Sequence, residues 1–495
     1  MSRPQIPAPP FLVAGLGRAG QAAVRALCAA VGPELVSAWD ADTGRAMRRL
    51  QQRLEVKGVR AWLGPPPRDT ELRCGRSLVK SPGIPFDEPL IQRARAIGLH
   101  VLDELELGWR LSRVPMLAVT GTNGKSTVAG LIKAVISAAG YRVELAGNTE
   151  FGPPLSAVSE SHDCVVCEVS SFQLEGCDHL LPEIGVLTNL TPEHLGRHGT
   201  MARYGECKRR LFVRGGFAVP HAVVDADDPF ACALAKEVAR RGGKVTRVGL
   251  AEEADYRLEA VQWDLRRARI AVRTPSGHVG LDTALPGAYN ARNIALALAT
   301  ADLVGIEPET SIDAISAYEG PPGRFEHIDA GQPFSVIVDF AHTPDGLEQF
   351  LSAVRSGMTP GTQLTVVLGF AARPGTALRE LGRLARQFSD HLILTTCGFQ
   401  GFPPLPCLSE MLRGARTADG GEVEVILDRR RAIGRAVRSV AVGGAVAIPG
   451  RGALPAMLND RRGIAVPFDD REVAREILNE LAAPAGWGVA KPISS

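Results

Sequence analysis

Thr120-Gly-Thr-Asn-Gly124-Lys125-Ser126-Thr127 is the stretch that most narrows what this chain can fold into. An apolar run, Met116–Thr120, precedes it. An amphipathic run, Ser126–Ala139, follows and is closed by Gly140. That order predicts a strand, a Gly-rich turn and a helix. Backbone N–H groups of such a turn cradle phosphate, and the helix N-terminus adds a positive dipole end. Lys125 would reach the β- and γ-phosphates, and Ser126 or Thr127 could ligate Mg2+. The common phosphate loop has Gly five residues ahead of its Gly-Lys pair, and here Val119 stands there. The loop is a shorter variant, and a Gly-Lys-Ser at a strand–helix junction is still read as an ATP site.

Three other stretches carry chemistry. Gly15-Leu-Gly17-Arg18-Ala19-Gly20 follows the apolar run Phe11–Leu16 and opens the helical pattern Arg18–Val31. Asp40 lies 20 residues past Gly20, at the end of the next strand pattern, Glu34–Asp40. This is a dinucleotide-binding spacing, and a second pyrophosphate site is expected there. Glu168, at the end of the buried pattern Cys164–Val169, suits a Mg2+ ligand across from the phosphate loop. Asn189-Leu-Thr-Pro-Glu193-His194-Leu-Gly-Arg197-His198, with Tyr204 and Lys208 beyond it, gathers two histidines, acid and base partners and a lysine within 20 residues. A lone histidine here would more often be a satisfied core residue; the density argues for a site.

The chain has 495 residues, enough for about three domains. Its net charge of +2 argues against nucleic acid or a membrane surface as partner. No apolar run reaches the ~20 residues of a membrane span, and Met1–Pro10 has no signal-peptide core, so a cytoplasmic location is expected. Nine scattered cysteines do not make a disulfide framework, and Cys164 and Cys167 read as buried strand residues. Of the 56 basic residues only eight are lysines, which makes each retained lysine informative.

Apolar runs alternate with amphipathic ones throughout, so the fold class is α/β. The expected division is 1–113, 114–319 and 320–495. Two Rossmann-like domains flank a central phosphate-loop domain with a mainly parallel sheet. The turn-rich Glu319–Gly323 is the expected linker. Expected strands in the last block are Ser335–Phe340, Gln363–Leu368, His391–Thr395 and Ala445–Ile448.

These residues in this order resemble the Mur ligase family, the ATP-dependent amide-bond synthetases of the peptidoglycan stem peptide. The resemblance covers nearly the whole chain, and Gly121-Thr122-Asn123-Gly124-Lys125-Ser126 is its most specific part. Val79-Lys-Ser81-Pro-Gly-Ile-Pro85, Asp103-Glu-Leu-Glu106 and Glu168-Val-Ser-Ser-Phe-Gln-Leu-Glu175 look like the glutamate-adding branch. Asp339-Phe-Ala-His342-Thr343-Pro-Asp345 and Phe468–Glu476 look more like the branch that adds diaminopimelate or lysine.

The resemblance implies one domain each for a UDP-sugar, ATP and the incoming amino acid. The reaction it implies runs through an acyl phosphate and releases ADP and phosphate. Gly15, Gly17, Arg18, Ala19, Asp40 and Ser81 would then hold the UDP-substrate, UDP-N-acetylmuramoyl-L-alanine. Asn148 would meet it near the reacting carboxylate. Lys125 would steady the γ-phosphate, and Ser126, Thr127 and Glu168 would hold Mg2+. His194 would hold a second Mg2+ or orient the acyl phosphate. Lys208 matches the lysine that the family carbamylates with CO2. Asn290 and Asn293 match adenine-side residues, Arg324 an arginine for the phosphates, Asp339 the ribose partner, and Thr343 a residue at the hinge of the third domain, where closure would assemble the site.

Glu193 replaces the usual Asp before His194, and Tyr289 the usual His before Asn290. The Asp-Asn-Pro-Arg loop of the diaminopimelate branch is replaced by Thr396-Cys-Gly-Phe-Gln400, and its later Gly-Lys-Gly-His-Glu by Gly450-Arg-Gly-Ala-Leu454. Arg373 and Arg451 suit a substrate with two carboxylates through paired hydrogen bonds, so glutamate, of either hand, is the expected amine; a monomer is the expected state. A diaminopimelate- or lysine-adding ligase, or one of specialised metabolism, is the alternative.

Overall fold

The structure is a computed structural model, and it describes residues 3–398, 402–458 and 465–485. The chain forms two compact units. The first comprises residues 1–257, 273–277 and 292–315; the second comprises 258–272, 278–291 and 316–495.

The first unit opens with a five-stranded parallel sheet in the order Arg60–Leu63, Val36–Asp40, Phe11–Ala14, Ser77–Lys80, His100–Asp103. Its central strand, Phe-Leu-Val-Ala, is buried on both faces, as a parallel sheet covered by helices requires. The expected strand Glu34–Asp40 begins later, at Val36, because Pro33–Leu35 forms a 3-10 turn first. A proline has no N–H to donate to a ladder.

A larger sheet follows. Its parallel part runs Lys244–Gly249, His221–Asp225, Ile184–Leu187, Met116–Thr120, Cys164–Glu168, Val143–Gly147. The phosphate-loop strand Met116–Thr120 therefore lies between Ile184–Leu187 and Cys164–Glu168, and all three end at the same edge. The helix Lys125–Ala138 packs back onto this sheet through Val128, Leu131, Ile132, Val135 and Ile136. At the edge of this sheet Tyr256 and Arg257 pair in parallel with Val248 and Gly249; Tyr256–Trp263, Ala268–Thr274 and Gly277–Thr283 then follow one another by turns too short for any but antiparallel pairing. Cys167 is buried and Cys164 half-buried, both in the strand.

Within the first unit the two sheets are tied by a carboxylate. Glu106 accepts from the amides of Asp178, His179 and Leu180 and from Arg110 at 2.6 Å. Lys80 and Asp103 form a wholly buried ion pair, 2.8 Å apart.

The second unit is built on a six-stranded sheet in the order Glu326–His327, Ser335–Asp339, Ala445–Pro449, Leu364–Leu368, His391–Leu394, Glu422–Val425. Glu326–His327 runs antiparallel to its neighbour and the other pairs are parallel. Beneath it Arg429 is fully buried and forks onto Asp470, Nε to Oδ1 at 2.7 Å and Nη2 to Oδ2 at 2.6 Å. No helix among the described residues is long and apolar enough to cross a membrane.

Candidate active site

The turn Gly121–Gly124 is shaped by close neighbours. Gly121 has φ +151°, and a methyl on it would lie 1.9 Å from Thr188 Oγ1; Gly124 has φ +82°, and its methyl would lie 2.5 Å from Asn293 Oδ1. Only glycine fits either place. Asn189, at the end of the adjacent strand, supports the turn from below. Its carbonyl accepts from Thr122 N at 3.0 Å and its Oδ1 accepts from Asn123 N at 2.9 Å. Gly124 then caps the helix Lys125–Ala138, whose first intrahelical bond is Val128 N to Gly124 O. The amides at the start of a helix have no acceptor within it and form a ready anion site.

Five predicted residues, Lys125, Ser126, Asn148, Glu168 and Lys208, gather at this turn and the helix start behind it. Lys125 Nζ donates to Thr122 O at 2.7 Å. Ser126 Oγ donates to Glu168 Oε2 at 2.7 Å, and Asn148 Nδ2 donates to Glu168 Oε1 at 3.2 Å. Of the two hydroxyls left open by the sequence, Ser126 is the one that meets Glu168; Thr127 is buried in the first helical turn. Lys208 reaches the turn from the helix Met201–Arg209, with Nζ donating to Gly121 O at 2.6 Å and lying 4.6 Å from the Tyr204 ring centroid. Burial, and then the positive charge of Lys125, hold Lys208 well below the usual lysine range.

His194 sits in the left-handed region, φ 55°, where it caps the short helix Leu195–His198. Its ring packs on Phe172, centroids 4.6 Å apart, and Nε2 lies 3.4 Å from Glu193 Oε1. Tyr204 links Glu193 to Thr122 through its hydroxyl, at 3.3 and 3.2 Å. Among the described residues no group of three or more His, Cys, Asp or Glu side chains could hold a metal alone. The donors present are a hydroxyl and one carboxylate. That set fits Mg2+, which takes one or two carboxylates and completes its shell with waters and substrate phosphates.

The Gly15–Gly20 turn lies in the same unit. Gly15 N donates to Trp39 O at 2.8 Å, Asp40 Oδ2 accepts from Leu16 N at 2.6 Å, and Ser81 Oγ donates to Gly15 O at 2.8 Å. Gly17 caps the helix that Arg18 and Ala19 begin. Arg18 donates to Gly152 O at 2.7 Å and Thr149 O at 3.4 Å, in the segment headed by Asn148. Arg197, Glu175 and Asn189 also belong to this region, and no spacing in the sequence reveals their long-range partners.

In the second unit, Asp339 is buried and accepts from Phe325 N at 2.7 Å and Ala341 N at 2.6 Å. Arg324 lies over the Phe340 ring at 4.3 Å. Asn290 Nδ2 donates to Pro286 O, and Thr343 Oγ1 caps the helix Pro344–Gly357. Arg373 is exposed, in the loop before the helix Thr376–Phe388. Arg451 corrects an expectation. It is fully buried, and its guanidinium donates to the carbonyls of Cys397, Leu454, Ala456 and Phe468, with Nε 4.0 Å from Asp470 Oδ1. It is spent on the fold, so the paired-arginine argument for a dicarboxylate loses one member. Of the replaced loop, Phe399 and Gln400 lie outside the described residues.

Two family models match the chain: the Mur ligase middle domain over residues 119–301 and the Mur ligase glutamate ligase domain over 323–452. The UDP-N-acetylmuramoyl-L-alanyl-D-glutamate–2,6-diaminopimelate ligase of Solibacter usitatus is 34% identical over 74% of this chain and 77% of its own. The chain belongs to the Mur ligase family. Mur ligases are ATP-dependent and use Mg2+, and this one is an ATP-dependent ligase. The ligase of the same name from Bacillus licheniformis is 30% identical over 82% of this chain and 87% of its own. Among solved structures, the UDP-N-acetylmuramate–alanine ligase MurC of Thermotoga maritima superposes with a TM-score of 0.61 at 18% identity, covering 96% of this chain and 99% of that one. MurF of Acinetobacter baumannii gives 0.59 at 18%, covering 84% and 87%. These two show the α/β fold. The expected likeness to the glutamate-adding branch is not supported: the two sequence relatives named above, at 34% and 30% identity, carry the diaminopimelate name.

Proposed function

We propose that this Mur ligase extends UDP-N-acetylmuramoyl-L-alanyl-D-glutamate with a diamino acid of the diaminopimelate class, in the synthesis of peptidoglycan precursors. The chemistry rests on one observation: Lys125, Ser126, Glu168 and Lys208 meet around a single phosphate turn. The amine rests on the names of relatives that share 30–34% of their residues over most of the chain. A second reading, glutamate on UDP-N-acetylmuramoyl-L-alanine, is favoured by the missing Asp-Asn-Pro-Arg loop.

A carboxylate is a poor electrophile. Its oxygen attacks the γ-phosphorus of ATP, a C–O–P bridge forms, and ADP leaves. The neutral amine then adds to the acyl carbon, the ammonium loses a proton, and the tetrahedral centre collapses with loss of phosphate. Catalysis is positioning and charge neutralisation. Lys125 and the helix amides bind the phosphates, while Asn148 orients the acceptor carboxylate beside Glu168. Ser126 and Glu168 would hold Mg2+, which neutralises phosphate charge when bound. Thr127 supports the first turn of the helix. His194 would orient the acyl phosphate or hold a second Mg2+, as the family resemblance implies. Lys208, whose burial favours the uncharged amine, would add CO2 through Nζ with loss of one proton to solvent, and the resulting carbamate would be an anion able to help hold a second Mg2+. The Gly15–Gly20 turn with Asp40 and Ser81 binds the UDP end. The family resemblance gives Asn290, Asn293, Arg324 and Asp339 their nucleotide roles, with Thr343 at the hinge.

The test is ADP release measured across both muramoyl acids and a panel of amines. Turnover with glutamate and none with diaminopimelate would move the assignment to the second reading.

A further inference from the structure

One side chain joins the two ends of the first unit's site. Arg197 forks onto Glu175, with Nε donating to Oε1 at 3.0 Å and Nη2 to Oε2 at 2.6 Å. Its outer edge donates to three successive carbonyls: Nη2 to Pro82 O and Ile84 O, both at 3.2 Å, and Nη1 to Gly83 O at 3.4 Å. The guanidinium also lies over the Phe172 ring, 4.3 Å from its centroid. The side chains of the pair are only 15% and 13% exposed.

Each end of this contact leads directly to a candidate ligand group. The Pro82–Ile84 segment is fixed to the first Gly-rich turn, because Ser81 N donates to Ala14 O at 2.9 Å and Ser81 Oγ to Gly15 O at 2.8 Å. At the other end, Arg197 N donates to His194 O at 2.9 Å. Glu175 also faces His198 Nδ1 at 3.6 Å, and His198 Nε2 pairs with Ser171 Oγ at 2.9 Å, three residues past Glu168. A continuous chain of polar contacts thus runs from Gly15 to His194 and, by way of Glu175, His198 and Ser171, to the end of the Glu168 strand, through Arg197.

We infer that Arg197, seated on Glu175, is a positioning residue that sets the distance between the Gly-rich turn and the ligation centre, and so selects the length of the acceptor acid. This rests on the proposed ligase reading. The acceptor is held at its UDP end and reacts at its far carboxylate. One further residue in an extended chain adds about 3.5 Å. A misplacement of ~1 Å costs about a hundredfold in rate. A seam fixed by five polar contacts therefore separates acids that differ by one residue. Lysine cannot replace Arg197, since a point charge cannot fork onto a carboxylate and span three carbonyls at once.

The experiment uses the full chain with Arg197→Lys and Glu175→Gln. ADP release is measured on UDP-N-acetylmuramoyl-L-alanine and on its D-glutamyl extension, each with the amine that the unaltered enzyme uses. In both variants kcat/KM on the preferred acid falls by about a hundredfold, KM for ATP moves less than twofold, and the ratio between the two acids narrows at least tenfold. An equal loss on both acids, a ratio that stays put, or unaltered rates would each overturn the inference. An unaltered enzyme that releases no ADP with either acid fails the ligase reading instead, so the two failures are distinct.

Discussion

Replacing Glu104 with glutamine isolates a buried carboxyl at the seam between the two sheets of the first unit. Glu104 is 1% exposed, in the first turn of the helix Glu104–Leu111. One oxygen accepts from Ser156 N at 2.8 Å, and the other has no partner. Burial pushes its carboxyl up from the ordinary 4.5 to about 7. The folded state thus holds a proton that the unfolded chain releases near pH 4.5. A raised carboxyl has the sign opposite to a salt-bridged one: no penalty below about pH 4.5, a growing loss of stability as pH rises, and the full loss above about pH 7. At 1.36 kcal/mol per unit, the full loss is about 3 kcal/mol, of which about 2–3 kcal/mol falls between pH 5 and pH 8. Glutamine keeps the acceptor for Ser156 and cannot ionise. Urea unfolding followed by tryptophan fluorescence reads the effect, Trp109 lying on the same helix and 6% exposed. The stability of Glu104→Gln relative to the unaltered protein should rise by about 2–3 kcal/mol from pH 5 to pH 8. A relative stability that is flat across that range would refute a buried, protonated Glu104.

Lys208→Ala should abolish turnover, with partial return on adding acetate as a stand-in for the carbamate; full activity without acetate would remove Lys208 from the mechanism. Lys80→Met removes the ion partner of Asp103 in a wholly buried site, and should cost about 3–5 kcal/mol in urea unfolding. The double change Lys80→Met with Asp103→Leu should recover most of that loss. Gly121→Ala drives a methyl into Thr188 and should eliminate nucleotide binding, checked by calorimetric titration with ATP.

The parallel strands were legible because both their faces are buried, which leaves continuous apolar runs such as Met116–Thr120 and Phe11–Ala14. The segment Tyr256–Thr283 carries no such run. Its three strands alternate buried and exposed residues over many polar positions, and the sequence reading placed no strand there. The phosphate turn was readable because its chemistry lies within eight consecutive residues. Arg451 misled, since a Gly-Arg-Gly reads as an exposed loop, while its partners Cys397 and Phe468 come from far along the chain. Arg197 escaped assignment for the same reason: Pro82–Ile84 is more than 110 residues away. Local spacing reports what a turn can bind. It does not report which arginine the fold has consumed.

The most direct test of the ligase account is the release of phosphate from ATP with each substrate supplied or withheld. The account predicts phosphate and ADP in equal amounts, with one amide formed per ATP, only when a UDP-muramoyl acid and an amino acid are both present. Diaminopimelate should be the amine that sustains turnover with the L-alanyl-D-glutamyl acid. ATP hydrolysis indifferent to both substrates, or no hydrolysis with any combination of them, would contradict it.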